Sequence, residues 1–391
     1  MATLREADWD AARNAAFGMV RRLSPESIPV ADADGRILAS DTQARCDVPS
    51  FASSAMDGWA VCGPSPWRVL GESRAGRLSS ITLSPGTCLR ISTGAVVPRG
   101  TSAVVRWEDA TLNEGYVSAP SMEGRDIRPA GEECRRGEII ARAGESVTPA
   151  VIGLLAATGH DDVSVVRRPR VSLVLLGDEL QVAGIPQGGR VRDSLGPQLP
   201  GWLTRAGGTV VGRSQVTDEC DRVAQVLRLE AEAADVIITT GGTSNGVHDH
   251  LHPAIASLDG DIIIDRVAVK PGHPMLLARI RRSDGHTVPV VGLPGNPLSA
   301  VVGLMTLGIP VLDAMLSRSS SPLPRIPTAE ELRSPAGHTR LIAGVVRDGR
   351  FQLSPYGGSA MLRGLARSRG FAVVPAGTTP AGADVRWLRL P

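Results

Sequence analysis

Apolar and polar positions divide the chain into three stretches with different rhythms. Residues 171–176 form a nearly continuous apolar run, as strands buried on both faces do. Similar short runs recur at 209–211, 235–239, 262–269 and 288–293. Between them lie stretches with helical spacing at 194–206, from a Thr217-Asp218-Glu219 start to 234, and from Asn296-Pro297 to about 316. Strand–helix alternation of this kind predicts a three-layer α/β domain of about 150 residues. Residues 48–124 read differently, as short β-like segments between Gly/Pro turns. Upstream, 8–22 predict an amphipathic helix. Thr148 and Pro149 open another helix that Gly159 closes. Residues 318–327 read as a linker. The tail is β again, with Asp348-Gly349 between two apolar segments as a hairpin signal.

Composition narrows the possible functions. At 391 residues the chain exceeds one ordinary core, so two to four domains are expected. Net charge is +2 and aromatics are 3%, so neither a polyanion-binding stripe nor a base-stacking surface is indicated, and no nucleic acid is expected. Five scattered cysteines form no CxxC pair, which argues against a zinc site and a disulfide framework. No signal region is read at the acidic start and no membrane span along the chain, so the cytoplasm is the expected compartment. Lysine and arginine total 42, yet Lys270 is the one lysine. An ammonium kept in an arginine background suggests a tight anion site where a planar fork does not fit.

Three predicted strand ends open into glycine-rich polar loops: 177–180 (GDEL), 241–246 (GGTSNG) and 292–297 (GLPGNP). Ligands of open α/β sheets bind beyond the carboxyl ends of the strands. Backbone N–H groups of Gly241, Gly242, Thr243 and Ser244, the loop Pro294-Gly295-Asn296-Pro297, and Ser299 in the following helix are candidate contacts to an anionic small molecule. Asp178, Glu179, Asp193, Asp218 and Asp249 share this neighbourhood, and carboxylates beside a phosphate suggest Mg²⁺. Asp193 and Asp218 also fit helix capping and a first-turn charge. His248, His250 and His252 have strand-like metal-ligand spacing, although a helix start before Pro253 fits them better. The 242–246 segment matches G-x-S-x-G, but lacks the helix that a nucleophile elbow needs after its serine. Asp57, in a small-residue turn, and Thr93, after a strand, each present one polar group.

In order, the segments 54–60 (SAMDGWA), 90–95 (RISTGA), 168–171 (RPRV), 177–180, 240–244 (TGGTS), 270–272 (KPG) and 292–297 resemble the molybdopterin molybdenumtransferase family, which includes the E domain of gephyrin. The resemblance spans almost the whole chain. It implies insertion of molybdate into adenylylated molybdopterin with Mg²⁺ assistance and release of AMP. By the same resemblance Asp57, Thr93, Glu179, Asp249 and Lys270 are catalytic. Asp178, Glu179 and Asp249 face the metal or pyrophosphate, and the remaining loop residues with Asp193, Asp218 and His273 bind substrate. It further implies a homodimer whose active site is shared between subunits, with a molybdopterin adenylyltransferase as partner and no membrane. Four domains follow: an extended segment 1–47 with 125–168, an inserted β domain 48–124, the α/β molybdopterin-binding domain 169–317, and a β-barrel-like domain 318–391.

Two positions depart from the family pattern. His273 stands where a second lysine is usual, and 131–133 reads Gly-Glu-Glu where an aspartate is common. A histidine in an oxyanion site predicts activity that rises as pH falls toward about 6.5. It also keeps open a non-catalytic molybdopterin-binding paralogue. Molybdopterin adenylyltransferase is the other alternative, although it leaves Asp57 and Thr93 without a role.

Overall fold

The computed structural model describes residues 3–243, 250–319 and 322–391. The chain divides into two compact units, Met1–Glu26 with Val166–Pro391, and Ser27–Val165.

The first unit is built on a seven-stranded sheet in the order Leu4–Ala7, Asp261–Val267, Leu276–Arg281, Thr287–Leu293, Val236–Thr240, Arg170–Leu176, Thr209–Val216. The last four strands are mutually parallel. Alternate residues along them point to opposite faces, as the two-residue strand period requires. Leu173, Ile238 and Val291 pack against helices Trp9–Gly18, Leu195–Arg205 and Pro297–Gly303. Val174, Ile237 and Val290 pack against Cys220–Ala233 and Leu251–Ser257. This is the three-layer α/β arrangement that the alternating runs predict.

Several boundaries differ from the sequence reading. The first helix ends at Gly18, and Asp8 starts it by accepting from the backbone N–H groups of Asp10 and Ala11. The strand expected at 209–211 continues to Val216. Leu4–Ala7 and Leu276–Arg281 are strands that carry helix-compatible sequences, LREA and LLARIR; pairing with Asp261–Val267 and Thr287–Leu293 decides their state. The run expected as one helix from 297 contains a π turn at Leu304–Gly308. Pro310 follows, and it has no N–H for the carbonyl four residues back. Against the expectation of no membrane span, Pro297–Met315 is long and apolar enough to cross a bilayer, at 19 residues and mean hydropathy 1.8, but 94% of its apolar window is buried inside the protein.

The C-terminal part of this unit is a β-sheet in the order Val269–Lys270, Thr339–Arg347, Gly370–Val374, Asp384–Arg389, Arg325–Pro327, with Arg350–Leu353 hairpinned onto Thr339–Arg347. Leu341, Phe371 and Leu388 join the same apolar cluster as Leu173 and Ile238.

The second unit holds a six-stranded sheet in the order Ala103–Arg106, Gly58–Cys62, Thr87–Ile91, Trp67–Ser73, Tyr116–Ser118, Thr111–Asn113. Its two faces bury Trp59, Val61 and Trp67 on one side and Ala60, Leu89 and Val104 on the other. A separate cluster gathers Leu38, Val147, Leu155 and Val163 around helix Pro149–Ala157. Thr148 caps that helix through Val151 N–H, with proline at its first position.

Candidate active site

The four parallel strands of the first unit end in register. Leu176 lies opposite Val216, Leu175 opposite Thr240, and Thr240 opposite Leu293. Their loops therefore open on one edge of the sheet. At that edge Gly241 N–H donates to Leu293 O at 2.9 Å. Gly241 has φ +82°, and a Cβ there would lie 2.8 Å from Leu176 O, so this turn admits glycine alone without a shift. The same position approaches Gly295, whose would-be Cβ is 3.8 Å from Gly241 Cα. The 177–180 loop is joined to the 217–219 loop by reciprocal bonds. Asp178 N–H donates to Asp218 Oδ2 at 3.4 Å, and Asp218 N–H to Asp178 Oδ1 at 3.3 Å. Asp178 and Glu179 are exposed, whereas Thr243 is buried.

The Lys270 loop reaches the same region. Antiparallel pairing sets Leu276 opposite Gly292, so the chain leading into Leu276–Arg281 stands at the end of Thr287–Leu293. Gly272 packs on the following helix, where a Cβ would meet Ser299 O at 3.1 Å and Val302 Cγ1 at 3.3 Å. Lys270 is exposed, at the end of a short strand in register with Arg340, and makes no salt bridge among the described residues. Segments 177–180, 241–243, 270–273 and 292–297 thus share one end of the domain. Ser244, His248 and Asp249 lie outside the described residues.

Some contacts differ from the chemistry expected of these residues. The first N–H groups of helix Pro297–Gly303 do not wait for a phosphate. Leu298 and Ser299 N–H both donate to Ser359 O, at 3.0 and 3.2 Å. Asn296 makes no side-chain cap, and Ser299 is 3% exposed. Pro294 is buried, while Gly295 and Asn296 are exposed. The capping role considered for Asp193 is the one its contacts fill. Its Oδ1 accepts from Leu195 and Gly196 N–H at 3.0 and 2.8 Å, and its Oδ2 pairs with Arg213 at 2.9 Å. Asp218 precedes its helix, whose first-turn acid is Asp221. His273 does not stand open to an anion through Nε2, which lies 2.5 Å from Glu6 Oε2. Nothing in the sequence pattern marks Glu6. His252 stands on helix Leu251–Ser257 and its Nε2 is 3.4 Å from Asp265 Oδ1, in line with the helix start read for that segment. No three-residue metal cluster occurs among the described residues.

In the second unit Asp57 and Thr93 come together, with Thr93 N–H donating to Asp57 Oδ1 at 2.7 Å. Gly58 permits the sharp approach that follows, since a Cβ there would sit 2.0 Å from Val105 O. Both Asp57 and Thr93 are exposed. Beside them the Arg90 guanidinium lies 4.6 Å over Trp107, which meets Trp59 edge-on at 4.8 Å.

Two cavities of about 810 and 790 Å³ lie away from the strand-end loops. The first is lined by Trp9, Arg13 and Asp313, the second by Arg170, Asp235 and Thr287, where the parallel strands begin. Volume and chemistry therefore point to different places. The loops carry the argument, because they hold the convergent glycines, carboxylates and ammonium, whereas most arginines of the second cavity are already paired to acids.

Three family models together span the chain. They are the MoeA N-terminal region (domain I and II) over residues 7–159, the probable molybdopterin binding domain over 172–314, and the MoeA C-terminal region (domain IV) over 325–390. Molybdopterin molybdenumtransferase 2 of Mycobacterium tuberculosis is 33% identical over 386 residues, covering 91% of this chain and 92% of that protein. The chain belongs to the molybdopterin molybdenumtransferase family. The family member from Synechococcus elongatus is 32% identical over 376 residues, covering 91% of each chain, and that from Bacillus subtilis is 30% identical over 376 residues, covering 90% and 86%. The molybdopterin biosynthesis MoeA protein of Pyrococcus horikoshii has the same fold, with a TM-score of 0.83 at 23% identity over 98% of this chain and 99% of that one. The family assignment and multidomain architecture expected from the seven ordered motifs are thereby established.

Proposed function

We infer that this chain is an enzyme, a transferase that inserts molybdenum into molybdopterin during molybdenum cofactor synthesis. The observation that carries the reading is the meeting of three glycine-bearing loops with the Lys270 loop at one sheet edge, in a chain whose transferase relatives match it over about nine-tenths of its length.

In this reading molybdate and adenylylated molybdopterin are the substrates and AMP is the leaving group. The N–H groups of Gly242 and Thr243 face the phosphate, while Gly241, whose N–H is given to Leu293 O, shapes the turn that presents them. The Lys270 ammonium balances developing negative charge, as a compact cation does in a tight oxyanion site. Asp178 and Glu179 fit a Mg²⁺ ion, because both are exposed at the loop and this ion takes one or two carboxylates and completes its shell with phosphate and water. When bound, Mg²⁺ would neutralise phosphate charge beside the bond that breaks. Asp249 is proposed for the same role from the family pattern. Asp218 steadies Asp178 through the reciprocal backbone contacts. We assign Asp57 and Thr93 to the site of the other subunit in a homodimer, and the four-domain division with boundaries at 48, 125, 169 and 318 belongs to the same reading. A molybdopterin adenylyltransferase is the natural supplier of the adenylylated substrate. Five unpaired cysteines support a cytoplasmic setting.

The test is direct. Purified protein, adenylylated molybdopterin and Mg²⁺ are mixed, and AMP is followed as molybdate is added. Molybdate-dependent AMP release supports the reading, and chelation of Mg²⁺ is expected to slow it at least about tenfold. The histidine at 273, where the family pattern has a second lysine, motivates a second reading, a binding protein without turnover. That reading requires tight binding of adenylylated molybdopterin with no AMP release.

A further inference from the structure

Glu6 lies on the edge strand Leu4–Ala7, between the paired positions Arg5 with Asp265 and Ala7 with Val267. Arg266 occupies the same level on the neighbouring strand. Both residues are left-handed, Glu6 with φ 51° and Arg266 with φ 69°. Non-glycine residues are strained there, and a facing pair on adjacent strands needs a reason to persist. Strand pairing and the turn bonds given below supply it, and the Glu6 carboxylate reaches from the pair to the loop. Its Oε2 lies 2.5 Å from His273 Nε2, and its Oε1 lies 3.2 Å from Arg266 Nε. The second contact is an ion pair without hydrogen-bond geometry, since Arg266 Nε is buried and has no hydrogen-bond partner. The main chain closes the same turn: Val267 and Met275 N–H donate to His273 O at 3.1 and 2.9 Å, and Arg266 N–H donates to Met275 O at 3.0 Å.

One carboxylate thus ties the strand before the Lys270 loop to the residue that ends it. The Glu6 side chain is 47% exposed, so the pair contributes little to overall stability. Its effect falls on the four residues 270–273 instead. We propose that Glu6 is a positioning residue, which holds His273 aside and fixes where the Lys270 ammonium meets molybdate. The proposal rests on the transferase reading above. In a site of this kind a small displacement of the charged group weakens oxyanion binding without unfolding anything.

The experiment compares full-length wild type with Glu6→Ala and Glu6→Gln. Glu6→Ala is expected to raise KM for molybdate about tenfold with kcat within about twofold, because placement of the anion is lost before the chemistry is. Melting temperature and affinity for adenylylated molybdopterin are expected to stay at wild-type values. Glu6→Gln still accepts a hydrogen bond from His273 and is expected to recover at least half of the loss. Glu6→Ala with wild-type KM overturns the proposal. So does a joint fall in kcat, melting temperature and molybdopterin affinity, which marks a merely structural residue. A wild type that releases no AMP sinks the transferase reading itself, whereas an active wild type indifferent to Glu6→Ala sinks this proposal alone.

Discussion

Lys270 stands exposed on a loop whose glycine packs against Ser299 O, in a chain that has otherwise kept only arginine. Lys270→Arg keeps the charge but replaces a point cation with a bulkier planar fork. The expected result is loss of molybdate-dependent AMP release by at least about 100-fold, with melting temperature unchanged; wild-type rates would remove Lys270 from the site. Asp57→Asn gives the complementary test. An amide oxygen still accepts from Thr93 N–H, so the turn is kept while the charge is lost. AMP release should fall at least about 100-fold with the fold intact, and a variant of wild-type activity would make Asp57 a turn residue only. Residue chemistry was legible in the sequence wherever a residue type was rare or sat in a motif, as for Lys270 and Asp57. Glu6 was not legible, because nothing local marks it and its partner is 267 residues away. That pairing also alters the expectation for His273. The imidazole expected to face an oxyanion has the Glu6 carboxylate beside it.

Strands and helices were readable where hydrophobic rhythm was strong and misread where tertiary pairing overrode it. The parallel strands announced themselves as apolar runs, whereas Leu4–Ala7 is a strand only through its neighbour Asp261–Val267. Gly241 shows how tightly one element fixes another. Gly241→Ala puts a Cβ 2.8 Å from Leu176 O at φ +82°, so it should cost about 2 kcal/mol in a denaturant titration and weaken substrate binding. Asp235 secures the other end of the same strands. Burial pushes its carboxyl up, but hydrogen bonds from the Arg167 side chain and the Arg170 backbone and side chain outweigh this and hold it below its ordinary value. A depressed carboxyl stabilises the fold above its unfolded value and loses that contribution as pH falls through the folded one. Asp235→Asn should therefore lower stability by about 2 kcal/mol at pH 7, with the gap to wild type closing as pH drops below about 4. A gap independent of pH would show that the carboxylate charge is not what secures these strands.

At the scale of the whole molecule, the three-layer domain and the β-rich ends were foreseen from rhythm, because periodicity reports which faces are buried. The grouping of residues 3–26 with 166–391 was not, since long-range packing of Trp9, Ala12 and Ala16 leaves no mark in the local pattern. The homodimer reading makes its own prediction. Lys270→Arg and Asp57→Ala each disable a different half of a shared site, so a refolded equal mixture should regain about a quarter of wild-type activity through heterodimers that keep one intact site. A mixture as inactive as either variant alone would place both residues in one chain's site. Where an anion settles decides between the strand-end loops and the cavities. Crystals of the full chain soaked with molybdate and AMP, with occupancy read from the anomalous signal of molybdenum, test this most directly. Molybdate is expected within contact of the Lys270 ammonium, and the AMP phosphate on the 242–243 backbone. Both anions bound instead in the arginine-lined cavities, with the strand-end loops bare, would contradict it.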